Sequence, residues 1–218
     1  MLSFDLRGAF PSLKRVLAIG CHADDIEIGC GGTLLTIARE IADVHVTWVV
    51  LTGEGARVDE ARSSADAFLA GAGSVDVRVL DHRECFLPYR GAEVKETFEE
   101  LKAVEPDLIL THTRFDLHQD HRLACELTWN TFRDHLILEY EIPKYDGDLG
   151  TPNLFMPLEQ AVVTDKLRLL REHFPSQAER HWFDDELFRG LMRLRGMESA
   201  TEYAEAFTCR KLLLRSGG

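Results

Sequence analysis

Short apolar runs alternate with amphipathic stretches through the first half of this chain, and this alternation is the strongest constraint on its fold. The run RVLAIG (15–20) suits a strand that is buried on both faces of a parallel sheet. Stretches with helical spacing of apolar residues lie between such runs, which is typical of βαβ units. The predicted strands are 15–20, 44–52, 75–80 and 106–112, and the predicted helices are 31–42, 58–73, 92–105 and 119–135.

The second half of the chain is less regular, but it contains no internal repeat and no clear linker. A strand over 136–145, a loop over 146–158 and helices over 164–174 and 184–199 are predicted there. We therefore expect one domain spanning 1–218. Its expected fold class is α/β, a Rossmann-like three-layer sandwich with a mostly parallel sheet and helices on both faces.

The balance of charge and the use of cysteine limit the partners of the chain. With 25 Lys and Arg against 37 Asp and Glu, the net charge is -12, so the basic surface that nucleic acids require is missing. The five cysteines include no C-x-x-C pair, which disfavours disulfides and favours a reducing cytoplasm. No run approaches the roughly 20 apolar residues of a membrane span. We expect a cytoplasmic protein with neither nucleic acid nor membrane as a partner.

Two clusters of histidine and aspartate follow two of the predicted strands. The first is His22-Ala23-Asp24-Asp25, and the second lies within THTRFDLHQDH (111–121). Because the carboxyl ends of parallel strands meet at one edge of a sheet, the two clusters are expected to meet there. A helix cap or a solvated turn is the alternative for either cluster alone.

Histidine and carboxylate donors in this arrangement are suited to a catalytic metal. Zinc in enzymes takes three such ligands and leaves one position open for water. The metal lowers the pKa of that water, and a spare carboxylate nearby can serve as its base. Zn²⁺ is the expected cofactor, although Fe²⁺ and Co²⁺ also accept this set of donors.

The stretch CHADDIEIGCGGTLL resembles the first motif of the PIG-L (LmbE-like) family of zinc-dependent N-deacetylases, P-H-P-D-D-E-x-x-G-x-G-G-T. The second family motif, D-x-H-x-D-H, is similar to residues 116–121. Residues 170–177 and 195–207 also resemble C-terminal stretches of the family. Cys21 and Ala23 stand where the family usually has prolines. The likeness therefore spans most of the chain.

The resemblance implies a role for each residue that matches a motif. His22, Asp25 and His121 would be the metal ligands, and Asp24 would be the general base that deprotonates the metal-bound water.

The second motif would supply the acid that the leaving amine needs. His118, once protonated, would stabilise the oxyanion or protonate the amine. Asp120 would orient His118 by a hydrogen bond and favour its charged form. Arg57, which lies before a predicted helix, would face the substrate as an arginine of the family does.

Two neighbouring features are expected to be structural. The glycines of GCGGT (29–33) do not match a phosphate-binding loop and are expected to let the helix start pack close to the metal loop. His112 lies beside the second cluster, where it is interpreted as a loop histidine with its own hydrogen bonds rather than as a partner of a ligand.

The resemblance implies a hydrolase that removes an N-acetyl group from an amino-sugar-containing substrate by attack of zinc-bound water. That substrate would be a small molecule: a free sugar, a nucleotide-linked sugar or a glycosyl conjugate. An amidase on another amide, such as a thiol conjugate or antibiotic intermediate, is one alternative, and a non-catalytic sugar- or nucleotide-binding module is another. Loops 82–91 and 143–158 are expected to set specificity. The region 136–163 is compatible with a homo-oligomer.

Overall fold

The computed structural model describes Ser3 and residues 13–213, so the remaining ends of the predicted 1–218 domain lie outside the described residues. Seven strands form one sheet in the order β3-β2-β1-β4-β5-β7-β6. Strands β1 to β5 are parallel to one another, and β7 pairs antiparallel with both β5 and β6. The strands are β1 (Arg15–Gly20), β2 (His45–Val50), β3 (Ser74–Val79), β4 (Leu108–His112), β5 (Leu136–Tyr140), β6 (Leu154–Leu158) and β7 (Tyr203–Cys209).

Helices cover both faces of this sheet. They are α1 (Asp25–Glu40), α2 (Ala56–Phe68), α3 (Gly91–Leu101), α4 (Gln119–Thr131), α5 (Gln160–His173) and α6 (Asp185–Glu198). In β1, Val16 and Ala18 join the core under α1, α2, α5 and α6, whereas Leu17 and Ile19 join the core under α3 and α4. The predicted three-layer α/β fold is therefore confirmed. None of the helices in the described part of the chain is long and apolar enough to cross a membrane.

The two strands that the sequence did not predict form one end of the sheet. Strand β6 lies within the predicted loop 146–158, and β7 lies in a stretch to which no element was assigned. Strand β6 is at the edge of the sheet and contains Pro157, which an edge strand tolerates because it need not donate a hydrogen bond there. The loop prediction was wrong here because proline normally argues against a strand.

Helix α1 begins at Asp25, earlier than the predicted start at residue 31, and bends at Cys30, whose backbone is not helical (φ -145°, ψ 17°). A buried ion pair holds this bend. Glu205 of β7 accepts from the N–H groups of Gly32 and Thr33, both at 2.7 Å. Lys166 of α5 donates to Glu205 (2.7 Å) and to the Ile28 carbonyl (2.6 Å). The Gly-rich segment is thus clamped by the second half of the chain.

Gly29 and Gly190 are two helical glycines with opposite surroundings. A Cβ atom at Gly29 would overlap the ring of Tyr140, whereas one at Gly190 meets nothing within 4 Å. We expect Gly29→Ala to lower the free energy of unfolding by about 1–3 kcal/mol through overpacking. Gly190→Ala should raise it by up to about 1 kcal/mol, because alanine favours a helix. Urea unfolding of both variants measures the pair, and shifts of the same sign would contradict this packing.

Candidate metal centre

The predicted ligands meet where β1 and β4 end. These neighbouring strands are parallel, so their carboxyl ends point to the same edge of the sheet. The turn after β1 leads from His22 into Asp25 at the first position of α1, and His121 lies in the first turn of α4, which follows β4. The structure brings these three side chains together, and all three are largely buried.

The donor atoms of these side chains form a nearly equilateral triangle. His22 Nδ1 is 3.1 Å from His121 Nε2 and 3.3 Å from Asp25 Oδ2. His121 Nε2 is 3.4 Å from the same Asp25 oxygen. Tetrahedral zinc, with bonds of about 2.0–2.2 Å, places neighbouring donors about 3.4 Å apart. The donor set and its spacing fit one divalent cation.

The charges around the triangle also favour a cation. Burial alone would raise the pKa of Asp25, but neighbouring imidazoles, first that of His121, outweigh burial and hold it well below its usual range. Burial alone would lower the pKa of His22, but the Asp25 carboxylate leads the contacts that raise it well above its usual value. Two other groups of donors lie within 4.8 Å: one joins Cys21 and His112 to Asp25 and His121, and the other joins His118 to His22 and His121.

Asp24 lies on the same turn, at the N-cap of α1, and is only 4% exposed. Its Oδ1 accepts from Arg57 of α2 at 3.0 Å, and its Oδ2 is buried without a hydrogen-bond partner. Burial raises the pKa of Asp24 above its usual value, and Arg57 opposes this rise. One carboxylate oxygen is therefore held by a cation while the other is available to a bound molecule.

His118 is the N-cap residue of α4 and lies beside the triangle, with its ring centre 4.9 Å from that of His22 and 4.6 Å from that of His121. Its Nδ1 accepts from the backbone N–H of Asp120 at 3.3 Å. The neutral ring therefore carries its proton on Nε2. Burial, followed by the charges of His121 and His22, lowers the pKa of His118.

Asp120 does not make the predicted side-chain hydrogen bond to His118. Its carboxylate instead accepts from the backbone N–H groups of Cys85 (2.7 Å) and Leu87 (3.2 Å), and Oδ2 lies 3.6 Å from His22 Nε2. These N–H groups, one of them from Cys85 with its left-handed backbone (φ 61°), occupy the carboxylate in place of His118. The predicted contact was wrong, and the pKa of His118 is lowered rather than raised.

Two residues around His121 were given no role in the site from the sequence, although Asp116 belongs to the second motif. Asp116 Oδ2 lies 2.9 Å from His121 Nδ1, so that Nδ1–H donates to the carboxylate and Nε2 faces the triangle. His112, at the end of β4, stacks on His121 with ring centres 3.8 Å apart and lies 3.2 Å from Asp25. Burial and the neighbouring His121 lower the pKa of His112 to about 4. The loop interpretation of His112 was thus wrong, and its place at the end of a predicted strand was the available signal.

Both predicted specificity loops border this cluster. The 82–91 loop contacts α4 through Cys85, whose carbonyl accepts from Gln119. The segment after β5 reaches the site through Lys144, which contacts Asp116. Large exposed side chains, Tyr89 on the first loop and Tyr145 on the second, are more than 70% exposed.

Comparison with known proteins matches part of this chain to a family model and most of it to one relative. The family model PIG-L, described as GlcNAc-PI de-N-acetylase, matches residues 17–132. A diacetylchitobiose deacetylase of Thermococcus kodakarensis is 27% identical over 239 residues, covering 94% of this chain and 86% of that protein.

Solved structures show the same architecture. An N,N'-diacetylchitobiose deacetylase from Pyrococcus horikoshii superposes with a TM-score of 0.75 at 22% identity, covering 94% of this chain and 87% of that one. A 4-carboxy-2-hydroxymuconate hydratase from Pseudomonas putida also gives a TM-score of 0.75, at 17% identity, covering 94% and 99%. These likenesses establish the fold. Since one of the two proteins is a hydratase, the reaction has to be argued from the site.

Proposed function

This chain belongs to the PIG-L family, and from that premise we propose that it is a metal-dependent hydrolase that removes an N-acetyl group from an amino sugar. The substrate is a free sugar, a nucleotide-linked sugar or a glycosyl conjugate. One observation carries the proposal: a buried carboxylate oxygen without a partner, on Asp24, adjoins a triangle of donor atoms that fits a cation. Amide hydrolysis needs both an activated water and a base.

The metal would be held by His22, Asp25 and His121. When bound, it supplies Lewis acidity, which activates water and polarises an amide carbonyl. Two imidazoles and one carboxylate are typical of catalytic zinc, so Zn²⁺ is the proposed ion, with Fe²⁺ and Co²⁺ as alternatives. Asp116 orients His121, and Asp120 lies against His22 and holds the loop at Cys85.

Asp24 would take the proton of the attacking water on its free Oδ2. Its raised pKa makes it a stronger base than an ordinary aspartate, and the Arg57 guanidinium favours its charged form and fixes Oδ1. The Arg57 side chain is 24% exposed, and it would be available to a hydroxyl or phosphate of the substrate.

His118 would act on the other side of the amide. Its Nε2–H is directed away from the backbone contact at Nδ1 and can donate a hydrogen bond to the developing oxyanion, whereas transferring a proton to the leaving amine would require the imidazolium form. A neutral imidazole is sufficient for the first of these steps, which agrees with the lowered pKa of His118.

Metal removal tests this proposal directly. Protein purified and then treated with a chelator should release no acetate from N-acetylglucosamine, its nucleotide conjugate or an aryl glycoside, and Zn²⁺ or Co²⁺ should restore the release on at least one of them. The reason is that no side chain in the described site can replace the Lewis acid. Acetate measured by a coupled assay, together with metal content per chain, gives the result.

The alternatives give other outcomes in the same assay. A binding module would retain a sugar or nucleotide without releasing acetate at any metal concentration. An amidase of other specificity would hydrolyse N-acetyl-cysteine conjugates but not the sugars. Equal acetate release with and without metal would contradict the proposed chemistry itself.

A further inference from the structure

Lys144 is a buried cation that sits between two buried carboxylates on the segment after β5. Its Nζ lies 2.8 Å from Asp116 Oδ2 and 2.7 Å from Asp148 Oδ2, and it also donates to the Ile142 carbonyl at 3.2 Å. The side chain of Lys144 is 14% exposed, and those of Asp116 and Asp148 are 0% and 5% exposed. Two carboxylates this close and this buried require a cation between them.

Asp116 Oδ2 accepts hydrogen bonds from both Lys144 Nζ and His121 Nδ1–H. The other oxygen of Asp116 accepts from the backbone N–H of His118 at 2.8 Å. The Asp116 carboxylate is therefore fixed at three points, and Lys144 supplies the only one of the three that comes from outside residues 116–121. An orienting carboxylate can hold a metal-binding imidazole only if it is itself held.

The same lysine ties a loop to this carboxylate. Asp148 accepts from the backbone N–H of Leu117 at 2.6 Å, so the segment 142–148 is attached to the second motif at two places. Gly147, with φ +62°, makes the turn that brings Asp148 back beside Lys144. Tyr145, in the same turn, is 77% exposed.

We infer that Lys144 is a positioning residue that couples the 142–148 segment to the metal ligand His121 through Asp116. The inference rests on the proposed function, because it assumes that His121 binds a metal. Without the cation, Asp116 and Asp148 repel each other, the segment moves away, and His121 loses the partner that aims Nε2 at the metal. Lys144 therefore controls metal affinity without touching the metal.

Metal affinity of the folded protein measures this coupling. Lys144→Met should bind Zn²⁺ about 10–100-fold more weakly than wild type in competition with a chelator, which is the loss typical of removing an outer partner of a ligand. Lys144→Arg, which keeps the charge, should recover part of the loss. Lys95→Met is the matched control, since Lys95 pairs with Glu99 and Thr131 on α3 and α4 away from the site, and it should bind Zn²⁺ as wild type does.

A second variant and a spectroscopic measurement separate positioning from a loss of fold. Asp148→Asn keeps an acceptor for the Leu117 N–H but weakens the hold on Lys144, so a smaller loss of affinity is expected even if Lys144→Met does not fold. The visible spectrum of the Co²⁺ form should shift in Lys144→Met and stay unchanged in Lys95→Met.

The outcomes distinguish this inference from the proposed function. If wild type binds Zn²⁺ and both the Lys144→Met and Asp148→Asn variants bind it equally well, the coupling is wrong and the proposed hydrolase is unaffected. If wild type binds no divalent metal, the proposed function fails and the inference fails with it.

Discussion

Replacing Asp24 with asparagine is expected to lower kcat about 10²–10⁴-fold, the range typical of losing a general base. Asparagine has the same shape as aspartate, and its amide oxygen can still accept from Arg57, so the turn before α1 should keep its position. What disappears is the ability of the free Oδ2 position to take up a proton. Metal content should stay at the wild-type level, because Asp24 is not one of the three proposed ligands.

The kcat of Asp24→Asn should be compared with that of Arg57→Lys, which changes the partner of Asp24 but leaves its carboxylate in place. That variant keeps a positive charge beside Asp24 but loses the second guanidinium N–H, which lies 3.5 Å from Ser176. We expect a smaller loss of kcat than in Asp24→Asn. Acetate release measured at saturating substrate, with metal content determined on the same samples, checks both. An Asp24→Asn enzyme with wild-type kcat would mean that another group takes the proton.

Replacing His121 with alanine is expected to abolish metal binding at concentrations that saturate wild type. The loss of metal affinity should exceed the roughly 10–100-fold that follows from removing an outer partner of a ligand. His121 is one of the three proposed ligands, and its removal also leaves Asp116 without its hydrogen-bond donor. Activity should fall to the level of the chelator-treated protein. Metal content after dialysis against a chelator of known affinity is the measurement.

His45→Ala is the control for that experiment. His45 is the first residue of β2 and contacts Ser74, the first residue of β3. Both lie at the amino ends of their strands, whereas the cluster lies at the carboxyl ends. Removal of the His45 side chain should leave metal content and kcat as they are. Full metal occupancy in the His121→Ala variant would contradict the proposed ligand set, because both other donor groups around the triangle also include His121.

The parts of the structure that follow from local sequence could be predicted. Four of the five parallel strands contain apolar runs, and β3 alternates polar and apolar residues. Since β1 and β4 are parallel neighbours, the turn after β1 and the start of α4 share an edge of the sheet. For that reason His22, Asp25 and His121 could be assigned to one place. The roles of these residues stay predictions until metal binding is measured.

The parts that depend on distant contacts could not be predicted. The family resemblance implied a hydrogen bond between Asp120 and His118, but the backbone N–H groups of Cys85 and Leu87 occupy the Asp120 carboxylate instead. Lys144 meets Asp116 across an irregular loop, for which no periodicity exists. Strand β7 carries the charged residue Glu205 at a buried position, where Lys166 of α5 donates to it. A buried charge of this kind interrupts the apolar pattern by which a strand is predicted.

Helix α1 is held by Glu205 of β7 and Lys166 of α5. The half of the chain that carries the proposed ligands therefore depends on the other half for the position of this helix. All of the proposed coordinating atoms come from residues up to His121, but the carboxylate that accepts from the N–H groups of Gly32 and Thr33 belongs to the last strand. A fragment ending at residue 132 would leave both amides unsatisfied, at about 1–3 kcal/mol each if they stayed buried. Such a fragment would contain all the proposed ligand atoms. It would lack the Glu205 carboxylate that holds the start of α1, and with it the proposed ligand Asp25, in position.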